Sequence, residues 1–157
     1  RYSNMEKYSI ECTNGKDERF IKLCNRLDSY LQQIIGADKQ NTKYVQYNSL
    51  VDIHDVIMII DNEEAVGCGA VKRYDDHTME MKRLYVKDEY RHKGYGRAIV
   101  EALETLARKK EVKTLILETG VPLVAAQKMY ISCDFKVIEN YGQYKGIDSS
   151  VCMSKQL

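Results

Sequence analysis

The sequence predicts an α/β (α+β) fold in which a mixed central sheet carries helices on its faces. Three observations predict it. Val56-Ile57-Met58-Ile59-Ile60 is a continuous apolar, largely β-branched run of the kind found in strands buried on both faces. From Lys16 to Ile35 the residues Phe20, Leu23, Cys24, Leu27, Tyr30, Leu31 and Ile34 recur at intervals of three and four, tracing one stripe of a helix. Leu84-Tyr85-Val86 then runs through a glycine-containing loop into a second helical pattern, so strand and helix alternate.

The individual elements follow from local signals. Tyr8–Thr13 alternates as a first strand and ends at Asn14-Gly15; Gly36 stops the helix after it. Residues 37–53 are polar and irregular, with one short helix expected around Val45–Leu50. Asp61-Asn62-Glu63-Glu64 turns the 56–60 strand into Ala65–Arg73, and Asp75-Asp76-His77 turns that into Thr78–Val86, giving an antiparallel meander. Ala98–Ala107 is helical, with Ile99, Leu103 and Leu106 on one side. Thr114–Glu118 is a strand and Val121–Cys133 a helix with Pro122 in its first turn; Phe135–Glu139 and Ser149–Ser154 close the chain as strands. The predicted order is β-α-(short α)-β-β-β-α-β-α-β-β. With no repeat or Pro/Gly/Ser-rich linker, residues 1–157 read as a single domain. The chain opens at Arg1, and Met5 is a candidate natural start, with residues 1–4 then a remnant.

Composition excludes several classes. A domain of 157 residues buries roughly 70% of its unfolded surface and needs no disulfide or metal to hold it. Twenty-four Lys+Arg against 23 Asp+Glu give a formal charge of +1, which removes the usual argument for a nucleic-acid or polybasic membrane partner. An apolar content of 44% with 30% charged residues argues against disorder. No apolar run approaches the ~20 residues that cross a bilayer, and no signal peptide opens the chain, so a cytoplasmic protein is expected. The five cysteines (Cys12, Cys24, Cys68, Cys133, Cys152) are odd in number and lack metal-ligand spacing, and His54, His77 and His92 are scattered. Reduced, mostly buried thiols and no metal site are expected.

The chemistry concentrates in Arg91-His92-Lys93-Gly94-Tyr95-Gly96-Arg97. A loop with glycines just before a helix directs several unpaired backbone N–H groups at one point, where the helix dipole adds positive potential. Such a nest suits a phosphate or diphosphate, and glycine matters because a Cβ would hold the anion away from the amides. Residues 82–97 also hold six cations (Lys82, Arg83, Lys87, Arg91, Lys93, Arg97) against two acids (Asp88, Glu89). Other phosphate loops fit less well: GxxxxGK[ST] is absent, Ile99 stands where a GxGxxG would need its third glycine, and Gly67-Cys68-Gly69 runs from strand to strand. The alternative is a plain turn with solvated basic residues.

Arg91-x-x-Gly94-x-Gly96 after Leu84-x-Val86 resembles the acetyl-CoA-binding motif A of the GNAT superfamily of N-acetyltransferases. The second motif, LETG…A..LY...GF, is resembled by Leu117-Glu118-Thr119-Gly120 with Ala126-x-x-Met129-Tyr130-x-x-x-Asp134-Phe135. Glu80 to Val86, Tyr141-Gly142-Gln143-Tyr144 and Ser150-Val151-Cys152-Met153 are similar to a bacterial, small-molecule-type branch. The resemblance covers residues 55–157 well and the N-terminal third in outline. It implies a sheet of about six or seven strands with two parallel strands splayed apart, those carrying Val86 and Glu118, and acetyl-CoA as cofactor. By position, the backbone of Leu84, Tyr85 and Val86 would hold the pantetheine arm, and the amides of His92 to Arg97 the pyrophosphate. Arg91, Lys93 and Arg97 would add charge, while Ala126 and Met129 line the arm. Two positions depart from the pattern: Leu123 replaces a common polar residue, and Asp134 replaces the usual glycine before Phe135.

Acetyl transfer to an amine needs a proton removed from the nucleophile and one given to the leaving thiolate, because an amine of pKa ~10 is almost wholly protonated at neutral pH. Glu80, four residues before Leu84, matches the position of a glutamate base in the superfamily; a solvated Glu80 paired with a neighbouring lysine is the alternative. Even spacing puts Glu80 on one face with Lys82 and Leu84 unless a bulge intervenes. Glu118 is the competing base. Tyr130 matches the family tyrosine that protonates the thiolate. Tyr44, Tyr47, Tyr141 and Tyr144 are candidates to frame the acceptor, or ordinary packing residues. The expected function is acetyl-CoA-dependent N-acetylation of a small amine or amino acid by a monomer or homodimer. A protein or peptide N-acetyltransferase and a non-catalytic acyl-CoA-binding regulatory module are the alternatives.

Overall fold

The strands seen in the sequence assemble into one sheet in a computed structural model that describes residues 8–36, 49–50 and 52–157. Its strands are β1 (Tyr8–Thr13), β2 (Asp55–Asp61), β3 (Glu64–Asp75), β4 (Thr78–Val86), β5 (Thr114–Gly120), β6 (Lys136–Ile138) and β7 (Ser150–Gln156), in the order β1-β2-β3-β4-β5-β7-β6. Every neighbouring pair is antiparallel except β4 and β5. Among the described residues three helices flank the sheet: α1 (Glu18–Ile35), α2 (Tyr95–Lys109) and α3 (Val124–Ser132).

The apolar run in β2 is buried on both sides because its residues alternate between two cores. Val56 and Met58 meet Phe20, Leu23, Cys24 and Leu27 of α1 on one face. Ile57 and Ile59 meet α2 and α3 on the other, with Ile99, Val100, Leu103 and Tyr130. Helix α1 starts where the Asp17 carboxylate accepts the Arg19 amide at 2.9 Å, capping one of the free N–H groups of the first turn. Packing of α2 on β3 explains the strand glycine at 69: a Cβ there would lie 2.6 Å from Ile99 Cγ2.

Boundaries differ from the sequence reading in physically explicable ways. Helix α2 begins at Tyr95, three residues before Ala98, because Gly94 in the left-handed region (φ 82°) acts as its N-cap. Helix α3 begins at Val124 rather than Val121, so Pro122 precedes the first turn. The Val121 amide donates to Ser149 O at 2.9 Å and the chain still follows the sheet there. The strand expected over Phe135–Glu139 shortens to β6. Short 3-10 turns at Asp88–Tyr90 and Gly142–Tyr144 gave no sequence signal. The short helix expected around Val45–Leu50 lies largely outside the described residues. Cys12 is exposed, and the other four thiols are buried and unpaired. No described helix is long and apolar enough to cross a membrane.

Two irregularities interrupt β4. Pairing with β5 covers only Thr78–Glu80 against Thr114–Ile116, after which the parallel strands part. Against β3, Cys68 faces Tyr85 and Ala70 faces Lys82, so Arg83 and Leu84 together oppose Gly69. This is a β-bulge, with Arg83 at φ 60°. The bulge intervenes where even spacing would have carried the Glu80 face on to Leu84. Leu84 instead packs with Met79, Met81 and Val86 toward α2, and Tyr85 packs toward α1. Arg83 itself is buried (6% exposed), donating through one terminal nitrogen to Cys24 O and Asp28 Oδ1 at 2.8 Å each.

Candidate active site

Where β4 and β5 part, a groove of about 670 Å³ opens, walled by β4, β5, the loop before α2, the start of α2, α3 and the inner side of α1. Its mouth is the segment from Arg91 to Arg97. His92 (φ 65°) and Gly94 (φ 82°) take left-handed conformations that turn the loop into α2. A Cβ added at Gly94 would meet nothing within 4 Å, so this backbone faces open space. The first-turn amides of α2 have no acceptor within the helix, and its dipole is positive at this end. The arrangement fits a diphosphate held by main-chain N–H groups.

The loop side chains hold the cradle together. Arg91 Nε donates to Val86 O at 2.9 Å, one terminal nitrogen lies 2.7 Å from Asp88 Oδ1, and the guanidinium sits 4.9 Å over the Tyr30 ring. Its charge is therefore already shared with Asp88. Arg97 donates to Ser132 O (3.0 Å) and Ser132 Oγ (2.9 Å), tying α2 to the end of α3. Tyr95 is buried with its hydroxyl on Asp61 Oδ2; burial first, then that carboxylate, push its pKa up to about 12. Lys93 stands 5.5 Å over the Tyr90 ring.

Leu84, Tyr85 and Val86 of β4 line the groove, as do Ala126 and Met129 of α3. Tyr130 lies on the same helix, 8% exposed, its ring edge-on to Phe135 at 6.0 Å. Burial raises its pKa above the ordinary 10, and the nearby Cys133 and Glu118 push in the same direction. Glu118 lines the groove and accepts from Ser150 Oγ at 2.7 Å. Glu80 does not line it. Glu80 is 7% exposed, accepts from Tyr141 O–H at 2.6 Å and stands 3.9 Å from Lys82 Nζ. Tyr141 and Tyr144 pack edge to face at 5.6 Å beside it. Tyr44 and Tyr47 lie outside the described residues.

The sequence reading missed the contribution of α1, whose Leu27, Tyr30, Leu31 and Ile35 reach the groove. An apolar stripe carries no mark separating residues that face a sheet from those that face a cavity. It also missed Lys82 as a wall residue and Ser150 as the partner of Glu118. Leu123, at the N-cap of α3, makes no side-chain cap hydrogen bond, in keeping with its apolar character.

A sheet opened between two parallel strands, with an amide cradle at its mouth, defines the acyl-CoA N-acyltransferase fold. Residues 24–135 match the acetyltransferase (GNAT) family, and the chain belongs to that family. Acetyl-CoA is the acetyl donor of its enzymes. The solved structure of a protein named as an acyl-CoA N-acyltransferase from Klebsiella pneumoniae superposes with a TM-score of 0.79 at 30% identity, covering 96% of this chain and 97% of that one. An IAA acetyltransferase from Azospirillum brasilense is 28% identical over 154 residues, 98% of this chain and 100% of its own. N-acetyltransferase 14 of Xenopus tropicalis is 33% identical over 82 residues, 52% of this chain and 40% of its own length. The chain thus matches two fifths of the Xenopus protein and the whole of the Azospirillum one.

Proposed function

We propose that the protein transfers the acetyl group of acetyl-CoA to the amine of a small molecule or amino acid by direct attack. The observation that carries this reading is that Tyr130, Glu118 and the Gly94 loop line one and the same groove. Acetyl-CoA supplies an acyl group already activated as a thioester. The amides of Tyr95, Gly96 and Arg97 bind the diphosphate, and the edge of Leu84–Val86 that β5 leaves uncovered runs along the pantetheine arm as a neighbouring strand would. Ala126 and Met129 exclude water from the arm. Glu118 takes the proton of the acceptor amine, and Tyr130 gives its proton to the leaving sulfur. Burial keeps that phenol protonated, the state in which it can donate. Glu80 accepts from Tyr141 and stands 3.9 Å from the groove-lining Lys82. A base acting from Glu80 through water is the competing assignment.

Calorimetry with acetyl-CoA, followed by thiol release with a panel of amines, tests the reading. Binding that weakens at least ~10-fold in Gly94→Ala, where a Cβ would enter the cradle, and thiol release with a small amine are expected. Release with peptides alone would assign a protein-modifying enzyme, and binding without release would assign a sensor. No heat of binding would overturn the proposal.

A further inference from the structure

We propose that Lys82 is itself an acetyl acceptor, so that the enzyme modifies the inner end of its own groove. This rests on the groove being the acetyl-CoA site. Lys82 lies two residues past the point where β4 leaves β5 and lines the groove, with Glu118 and Tyr130 among the other wall residues. Its side chain is only 9% exposed and its Nζ is 3.9 Å from Glu80 Oε1.

The surroundings favour a nucleophile. Burial presses the Lys82 pKa below its ordinary 10.5, and the nearby Lys72 and Arg83 act in the same direction; Glu80 and Glu118 oppose them without cancelling the effect. A larger share of the amine is then neutral, with its lone pair available. The loop lysines are placed differently: Lys87, paired with Glu64, and Lys93, 5.5 Å over the Tyr90 ring, are not among the residues that line the groove, whereas Lys82, paired with Glu80, is. In the transfer, a bond forms between Lys82 Nζ and the acetyl carbon while the carbon–sulfur bond breaks. The electron pair leaves with sulfur, which takes the Tyr130 proton, and the proton displaced from nitrogen passes to the Glu80 carboxylate. The products are an amide on Lys82 and free coenzyme A thiol.

The test is incubation of the full chain with acetyl-CoA and no amine, read by intact mass and peptide mapping. The expected result is a gain of one acetyl group per chain on the Lys82 peptide, slowed at least ~10-fold in Tyr130→Phe and absent from that position in Lys82→Arg. The wild-type peptide map decides the matter even if Lys82→Arg fails to fold. Acetylation spread over exposed lysines at the rate seen in urea-unfolded chain would overturn the proposal. So would an unmodified Lys82 in protein that still binds acetyl-CoA by calorimetry, which leaves the acetyl-CoA reading standing. Loss of that binding would overturn both.

Discussion

Tyr141 donates its phenolic hydrogen to Oε2 of Glu80 across 2.6 Å, from a position 61 residues farther along the chain. The bond engages one carboxylate beside the groove-lining Lys82, while the other, Glu118, lines the groove itself and accepts from Ser150 Oγ. The two acids are thereby given different surroundings within one site.

That difference predicts unequal substitutions. Glu118→Gln is expected to lower acetyl transfer by about 10²–10⁴-fold, the range for loss of a positioned base, with acetyl-CoA binding retained. Glu80→Gln is expected to cost less. Steady-state kinetics on both variants decide it, and the reverse ranking would return the base role to Glu80.

Tyr130→Phe removes one hydroxyl from a buried ring. Turnover should fall on the order of 10²-fold with acetyl-CoA affinity unchanged. Because burial raises the phenol's pKa, ultraviolet titration should show it still protonated at the pH where an exposed tyrosine ionises. Full turnover in the variant would exclude a donor role.

The Asp17 cap gives stability a defined acid dependence. Hydrogen bonding from the Arg19 side chain, aided by Thr13 and the Arg19 amide, holds the Asp17 carboxyl well below its ordinary 3.8. A folded-state pKa below the unfolded one means the contribution is fully present above about pH 4 and fades as pH falls through the folded value. Asp17→Asn keeps a cap acceptor without the charge. It should melt below wild type at pH 7, by about 1 kcal/mol, with the gap closing in strong acid.

Asp134 occupies a glycine's conformation. At φ 73° it follows α3 in a Schellman turn, with its amide on Ile131 O at 2.9 Å and that of Phe135 on Tyr130 O at 3.1 Å. Relief of left-handed strain should make Asp134→Gly more stable by about 0.5–1 kcal/mol, a rise of about 1–4 °C in Tm. Thermal melts read it directly.

Local pattern made much of this molecule legible in its sequence. The double-sided burial of Val56–Ile59 shows in its unbroken apolar run, and the Gly94 cradle in glycines set against a helix start. Features that depend on a partner strand left no local mark. The start of α3 is decided by Ser149 capturing the Val121 amide, and the glycine at 69 by Ile99 arriving from α2. The family positions of Glu80 and Glu118 could be read, but not which of them Tyr141 would bind.

The extra residue in β4 carries a consequence for how this stretch can change length. Between Met81 and Tyr85 the chain switches phase: Met79 and Met81 turn to α2 before Arg83, and Leu84 and Val86 after it. Removing one residue there would restore simple alternation and exchange the inward and outward sets of everything beyond it, Tyr85 and Val86 included. Substitutions can be absorbed at these positions one at a time; a single-codon deletion or insertion cannot, and a deletion scan should show a sharp gap in tolerance confined to these few residues.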